Sequence, residues 1–419
     1  MPEVDRGFGM AEPDCRKPLG GEPLKYISVQ SPHWLRNDGI VERRSSDGRT
    51  LLQHRHVPRE SPWVALSTGA AGGAHLAQVA EMAWLRADGA VDLTVTALYF
   101  NFNKDASNRE AALIHDFQTP VAKYTGRAHV VQPPVGCRYT AVAAGVRHAC
   151  GAGVAATYCL RSDGLVDRIT TTTGGMEGGM MPLKRSAPVR ATLSTPDGVT
   201  YTAVIAGYYA SYLVRSDGAL DVLSETRAQG NKEVSEGGRL ECTIPAPAGT
   251  AYVGMVAHGI GGKFGTERAI AWKFPFQPRQ HILRADGAVD VMTPDGRAVA
   301  STIEAPAAAR YVGGFLLVEY GTTITELLLL RSDGRVDVRL THGVTTVSPP
   351  TGVAYVKVCG GTFVAYGGTK YMSCLVRSDG AVDELQVGTS KTKVECAVLR
   401  SISPSDDETV VAGGCCVVL

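Results

Sequence analysis

Short apolar runs punctuated by glycine recur along this chain, and seven of them read alike. They are WLRNDGIVE from Trp34, WLRADGAVD from Trp84, CLRSDGLVD from Cys159, LVRSDGALD from Leu213, ILRADGAVD from Ile282, LLRSDGRVD from Leu329 and LVRSDGAVD from Leu375. Upstream of each, an aromatic opens a further apolar stretch: Tyr26, Trp63, Tyr139, Tyr201, Tyr252, Tyr311 and Tyr355. Asp-Gly between two apolar runs is a hairpin signal, so each segment predicts two antiparallel strands. Successive Asp-Gly pairs stand 50, 75, 54, 69, 47 and 46 residues apart, and the shortest spacings fit one blade of four short strands plus turns. The pattern predicts an all-β chain: a seven-bladed β-propeller of four-stranded antiparallel blades over residues 23–404, between flexible segments 1–22 and 405–419. After Asp383 one strand remains, within KTKVECAVLRSI.

The repeat also predicts a register. A three-residue loop such as Ser162-Asp163-Gly164, a type I turn with Gly164 left-handed in a bulge, pairs Arg161 with Leu165 and Leu160 with Val166. Alternation then sets Leu160 and Val166 on the buried face. Arg161 and Asp167 fall together on the other face, close enough for an ion pair. A two-residue loop would separate them onto opposite faces. The arginine recurs as Arg36, Arg86, Arg215, Arg284, Arg331 and Arg377, and its acidic counterpart as Glu42, Asp92, Asp221, Asp290, Asp337 and Asp383. Seven equivalent carboxylates point away from catalysis and towards structure, ordering each hairpin and stitching neighbouring blades.

Composition narrows the function classes. Apolar residues at 44% supply a substantial core, and 48 Gly with 22 Pro suit short strands and tight turns. The 42 basic and 41 acidic residues leave +1, so the strongly basic surface that duplex DNA attracts is missing and nucleic acid is not an expected partner. The N-terminus carries no apolar core for a signal peptide, and no run approaches the ~18 apolar residues of a membrane span. The ten cysteines form no CxxC pair. In a cytosol-facing protein, Cys137, Cys150, Cys159, Cys242, Cys359, Cys374 and Cys396 read as buried small hydrophobes. His54 and His56 lack a third metal ligand, and GIGGKFGTE from Gly259 fits no phosphate-binding glycine pattern. The reading is non-enzymatic, with no cofactor, metal or catalytic residue.

The tract YxxVxxG…xxLRSDGxVD resembles the repeat of the RCC1 (regulator of chromosome condensation) family, over roughly residues 23–400. The resemblance implies a seven-bladed propeller serving as a guanine-nucleotide exchange, inhibitor or scaffold module. It matches in the strand–Asp-Gly–strand hairpin and in a glycine ending the first strand (Gly145, Gly207). The family's Trp-Gly and Gly-Gln-Leu-Gly segments are missing from every repeat, so no functional residue carries over. A protein partner follows, with a small GTPase as the alternative the family suggests.

In a four-stranded antiparallel blade, the Ser-Asp-Gly turns and the Pro–Gly connections between blades share one face of the disc. The other connections lie on the opposite face, and the large length variation falls there, between Asp92 and Tyr139, Asp167 and Tyr201, Asp221 and Tyr252, and Tyr252 and Arg284. Those inserts carry the residue types that anchor interfaces: Tyr99, Phe100, Phe102, Met180, Met181, Arg185, Trp272, Phe274, Phe276 and Arg279. Cys416-Val417-Val418-Leu419 matches a prenylation box of the geranylgeranyl type. One lipid chain gives only reversible attachment, and Cys415 is the candidate for a second acyl group. The combined expectation is a monomeric, cytoplasmic interaction propeller, held peripherally on an endomembrane or ciliary membrane.

Overall fold

The computed structural model describes residues 23–30, 33–44, 51–55, 61–72, 77–99, 129–149, 152–173, 187–206, 211–223, 238–262, 279–293, 296–320, 325–340, 343–365, 368–389 and 394–404. These residues hold no helix and form seven antiparallel blades of four strands each, consecutive in the chain except in blade 5, where the strand Ala257–Gly262 falls between the first two and joins the sheet of blade 6. Blade 3 is representative, with strands Tyr139–Ala149, Ala152–Arg161, Val166–Thr173 and Val189–Leu193. The other first strands are Tyr26–Gln30, Trp63–Gly72, Tyr201–Ala206, Tyr252–Met255, Tyr311–Tyr320 and Tyr355–Ala365. Each starts at the aromatic that marks its repeat. First strands of successive blades touch one another around the ring, so they are innermost.

The predicted hairpin register is the one observed. Leu160 pairs with Val166, the Arg161 N–H donates to the Leu165 carbonyl at 2.8 Å, and Gly164 sits at φ 80°. The faces differ from the expectation, because both are buried. Leu160 and Val166 pack with Tyr201 and Leu213 of blade 4, while Cys159 and Ile169 pack with Leu85 and Val91 of blade 2. A blade is sandwiched between two neighbours, so alternate residues feed two different cores. The run Leu327–Leu330 shows the same division: Leu327 and Leu329 join the cluster with blade 5, Leu328 and Leu330 the one with blade 7. The described residues form seven apolar clusters, one in each inter-blade interface.

The ring closes without a shared strand. Blade 7 is completed by its own fourth strand, Val394–Ile402, within the segment where a last strand was expected. The seam to blade 1 is held by the cluster of Tyr26, Val29, Trp34, Cys359, Cys374, Val376 and Val382. The Tyr26 N–H donates to the Gly380 carbonyl at 3.2 Å, and the Lys357 ammonium donates to Ser28 Oγ at 2.8 Å.

Several local expectations need correction. Gly145 lies inside its strand and does not end it, while Gly207 lies outside the described residues. Cys159, Cys359 and Cys374 are buried, but Cys137, Cys242 and Cys396 are only half-buried, and Cys150 lies outside the described residues. Gly259 does not start a loop: Ala257–Gly262 is a strand that crosses to pair in parallel with the first strand of blade 6.

Candidate interaction faces

The repeated arginine and carboxylate are joined by partners the repeat itself does not display. In blade 4, Asp221 is fully buried and accepts from the Tyr201 hydroxyl at 2.9 Å, Thr243 Oγ1 at 2.6 Å and the Arg215 guanidinium at 3.4 Å. One residue from each of the four strands meets there. Blade 3 repeats the arrangement with Tyr139, Arg161, Asp167 and Thr192; Arg161 lies 3.5 Å from Asp167 and also bonds the turn carboxylate of Asp163. Tyr252–Asp290–Thr302, Tyr311–Asp337–Thr346 and Tyr355–Asp383–Ser401 follow the same scheme with Arg284, Arg331 and Arg377. Blade 2 solves the problem differently. Trp63 Nε1 replaces the phenol at 2.8 Å, Val130 stands where the threonine would be, and Arg86 takes both oxygens of Asp92 at 2.9 and 2.7 Å.

These are structural devices. A buried carboxylate needs its lone pairs met, and each ladder meets them from within its own blade. The ladder therefore binds four strands together, and is not the stitch between blades that the repeat suggested. That stitch is made by backbone: at six of the seven interfaces the carbonyl of the turn glycine accepts the N–H of the next blade's first tyrosine, as in Tyr201 to Gly164 at 2.7 Å and Tyr252 to Gly218 at 3.0 Å. Burial first, and the bond to the carboxylate second, push the tyrosine phenols well above their ordinary range; Tyr311 reaches about 12.

The two faces of the disc differ in kind. On one, every connection between second and third strands has four residues (37–40, 87–90, 162–165, 216–219, 285–288, 332–335, 378–381). Every connection between blades there has seven (56–62, 132–138, 194–200, 245–251, 304–310, 348–354). On the opposite face, the connections run from two residues (31–32) to 29 (100–128).

No protein-family model matches the chain, and no curated protein matches it in sequence. Among solved structures, BBS1N crystallised in complex with ARL6DN is similar at TM-score 0.46 and 13% identity, covering 87% of this chain and 94% of that one. Human WBSCR16 is similar at TM-score 0.40 and 10% identity, covering 80% and 79%. A mutant Aleuria aurantia lectin in complex with alpha-methyl-L-fucoside is similar at TM-score 0.40 and 8% identity, covering 82% and 97%.

Two of the ten predicted anchors lie among the described residues. Tyr99 ends the third strand of blade 2, paired with Ala77, and Arg279 is exposed just before the second strand of blade 5. Phe100, Phe102, Met180, Met181, Arg185, Trp272, Phe274 and Phe276 lie outside the described residues, as do His56, Cys415 and Cys416. His54 lies in a strand opposite Glu42. The described residues contain no group of three or more potential metal ligands. Residues that sequence reasoning missed are the fourth-strand hydroxyls (Thr192, Thr243, Thr302, Thr346, Ser401) and the aromatic polar atoms. Their signal is weak: the hydroxyl residue stands 9 to 25 positions from its carboxylate, after inserts of unequal length.

Proposed function

We propose that this chain is a non-enzymatic, RCC1-like interaction scaffold that binds a protein partner on its variable face. The observation that carries the reading is the contrast between faces. Connections of invariant length on one side hold the disc, while the other side carries connections of up to 29 residues. A rigid scaffold with length variation confined to one face is how a common fold carries a specific site. Tyr99, Arg279 and the aromatic inserts supply anchor chemistry there. The chain acts as a monomer in the cytoplasm, with Cys416 and Cys415 as the lipid tether to an endomembrane or ciliary membrane.

The test is affinity purification of the full chain against one with segments 100–128 and 263–278 shortened. Loss of the principal partners on shortening, with the thermal melt unchanged, is the expected result. Retention of every partner would move the site off this face. A small GTPase among the lost partners would be taken into a nucleotide-release assay, since exchange activity is what the repeat resemblance adds. Labelling with a geranylgeranyl analogue, lost in Cys416→Ser, tests the tether separately.

A further inference from the structure

Every first strand carries a bulge directly after its aromatic. The register slips between Tyr26 and Ser28, Trp63 and Ala65, Tyr201 and Ala203, Tyr252 and Gly254, Tyr311 and Gly313, and Tyr355 and Lys357; in blade 3, Thr140 is the skipped residue. A bulge re-aims the extra side chain. The residues skipped are Ile27, Val64, Thr140, Thr202, Val253, Val312 and Val356, and the five aliphatic ones are 38%, 46%, 53%, 56% and 54% exposed in blades 1, 2, 5, 6 and 7. Half-exposed side chains on innermost strands face the central channel. The strand ends they occupy adjoin the Asp-Gly turns, so they ring the channel mouth on the constant face.

Both threonines turn inward to backbone, Thr140 towards the Leu160 carbonyl at 3.3 Å and Thr202 towards that of Val214 at 3.4 Å, leaving the rim predominantly aliphatic. Three of the seven residues that precede the first-strand aromatics are cations. Lys25, Arg138 and Arg310 each precede a first-strand aromatic and lie against the turn glycines Gly380, Gly89 and Gly287. The turn aspartates Asp163, Asp217, Asp286, Asp333 and Asp379 are already engaged by their own arginines. Among the described residues, the side chains of Lys25, Arg138 and Arg310 make no ion pair. An apolar ring with a cationic rim suits an acidic segment that carries aliphatic side chains.

This chain contains such a segment within reach. Ser405-Asp406-Asp407-Glu408-Thr409-Val410-Val411 follows the last strand and lies outside the described residues. Ile402 pairs with Val382, the residue after the last Asp-Gly turn, so the chain leaves blade 7 on this face. Ile402 also packs on the seam cluster that contains Tyr26, next to Lys25. From the fourth strand to the first is three strand spacings, about 14 Å. At ~3.3 Å per extended residue beyond Pro404, the acidic triplet spans about 7–13 Å and the two valines reach about 20 Å. We propose that the ring of Ile27, Val64, Val253, Val312 and Val356 is the docking site of this chain's own segment 406–411, with Asp406–Glu408 over the cationic rim and Val410-Val411 in the ring. The inference concerns the face opposite the partner site and stands apart from it.

The test is photo-crosslinking within the full chain carrying Val410→p-benzoylphenylalanine. Intramolecular crosslinks are expected on peptides containing Ile27, Val253, Val312 and Val356. The double substitution Val312→Asp, Val356→Asp is expected to lower their yield at least tenfold, and Lys25→Glu several-fold. The ring side chains are exposed, so the thermal melt of these variants serves as the control for folding. Crosslinks concentrated elsewhere, or insensitive to the ring substitutions, overturn the proposal. Crosslinks between chains that rise with concentration also overturn it, and would assign the ring to a second copy or a separate partner.

Discussion

At the residue scale, the molecule turns on seven carboxylates placed where water cannot serve them. Asp221 has no exposed surface, and its stability contribution depends on Tyr201, Thr243 and Arg215 all being present. Removing the carboxylate strands a guanidinium and a phenol at a buried interface. Asp221→Ala is therefore expected to cost about 3 kcal/mol in urea denaturation. A cost below ~1 kcal/mol would mean the ladder is dispensable. The tyrosines make a second prediction. Their phenols are raised by burial and then by the neighbouring carboxylate, in Tyr139, Tyr201, Tyr252, Tyr311 and Tyr355 alike, except that the charge of Asp290 acts ahead of its bond in Tyr252. A folded-state value above the unfolded one stabilises fully below the unfolded pKa of about 10 and is lost as pH rises through the folded value. Absorbance at 295 nm should show these five silent at pH 10–11, followed by a cooperative rise as the chain unfolds. Early, graded ionisation of all tyrosines would contradict the ladders.

At the scale of the element, the hairpin is legible because its glycine answers to two constraints at once. Gly218 holds φ 83°, and a Cβ there would stand 2.6 Å from that of Ala251, at the start of the next blade. Gly198, in a Pro-Asp-Gly turn at φ 73°, has open space around it. Gly198→Ala should cost only the left-handed term, about 1 kcal/mol. Gly218→Ala adds the clash and should cost about 3 kcal/mol. Equal losses in urea denaturation would mean that the turn does not brace the next blade. The repeat recorded this hairpin because both constraints fall within a few neighbouring residues. It did not record Thr243, which reaches Asp221 from 22 residues away, nor the crossing strand Ala257–Gly262, whose partner Phe315–Tyr320 belongs to another blade.

At the scale of the whole molecule, six of the seven interfaces are spanned by a seven-residue connection and the seventh is not. The seam has the same backbone bond as five of the other interfaces, plus Lys357 on Ser28, but lacks the covalent link. Burial pulls the Lys357 ammonium below its ordinary range, so this cation is a poor clamp. The seam is the expected first opening. Native-state hydrogen exchange should find the strands Tyr26–Gln30 and Tyr355–Ala365 opening together, before the interface between blades 3 and 4. Gly380→Ala, whose Cβ would meet Lys25 at 2.4 Å, should accelerate exchange at the seam alone. Uniform protection around the ring would show that closure is as strong as the linked interfaces.

The sequence by itself determined the number of blades, the Asp-Gly hairpin with its Arg161–Asp167 proximity, and the assignment of constant and variable connections to opposite faces. Those follow from chirality, period-two alternation and glycine's backbone freedom, which act over a few residues. Only the tertiary structure decided that both faces of each hairpin are buried, which hydroxyls complete the ladders, how blade 7 meets blade 1, and that every first strand bulges directly after its aromatic. Each of those depends on residues brought together from distant positions by ring closure, and no local pattern encodes that distance.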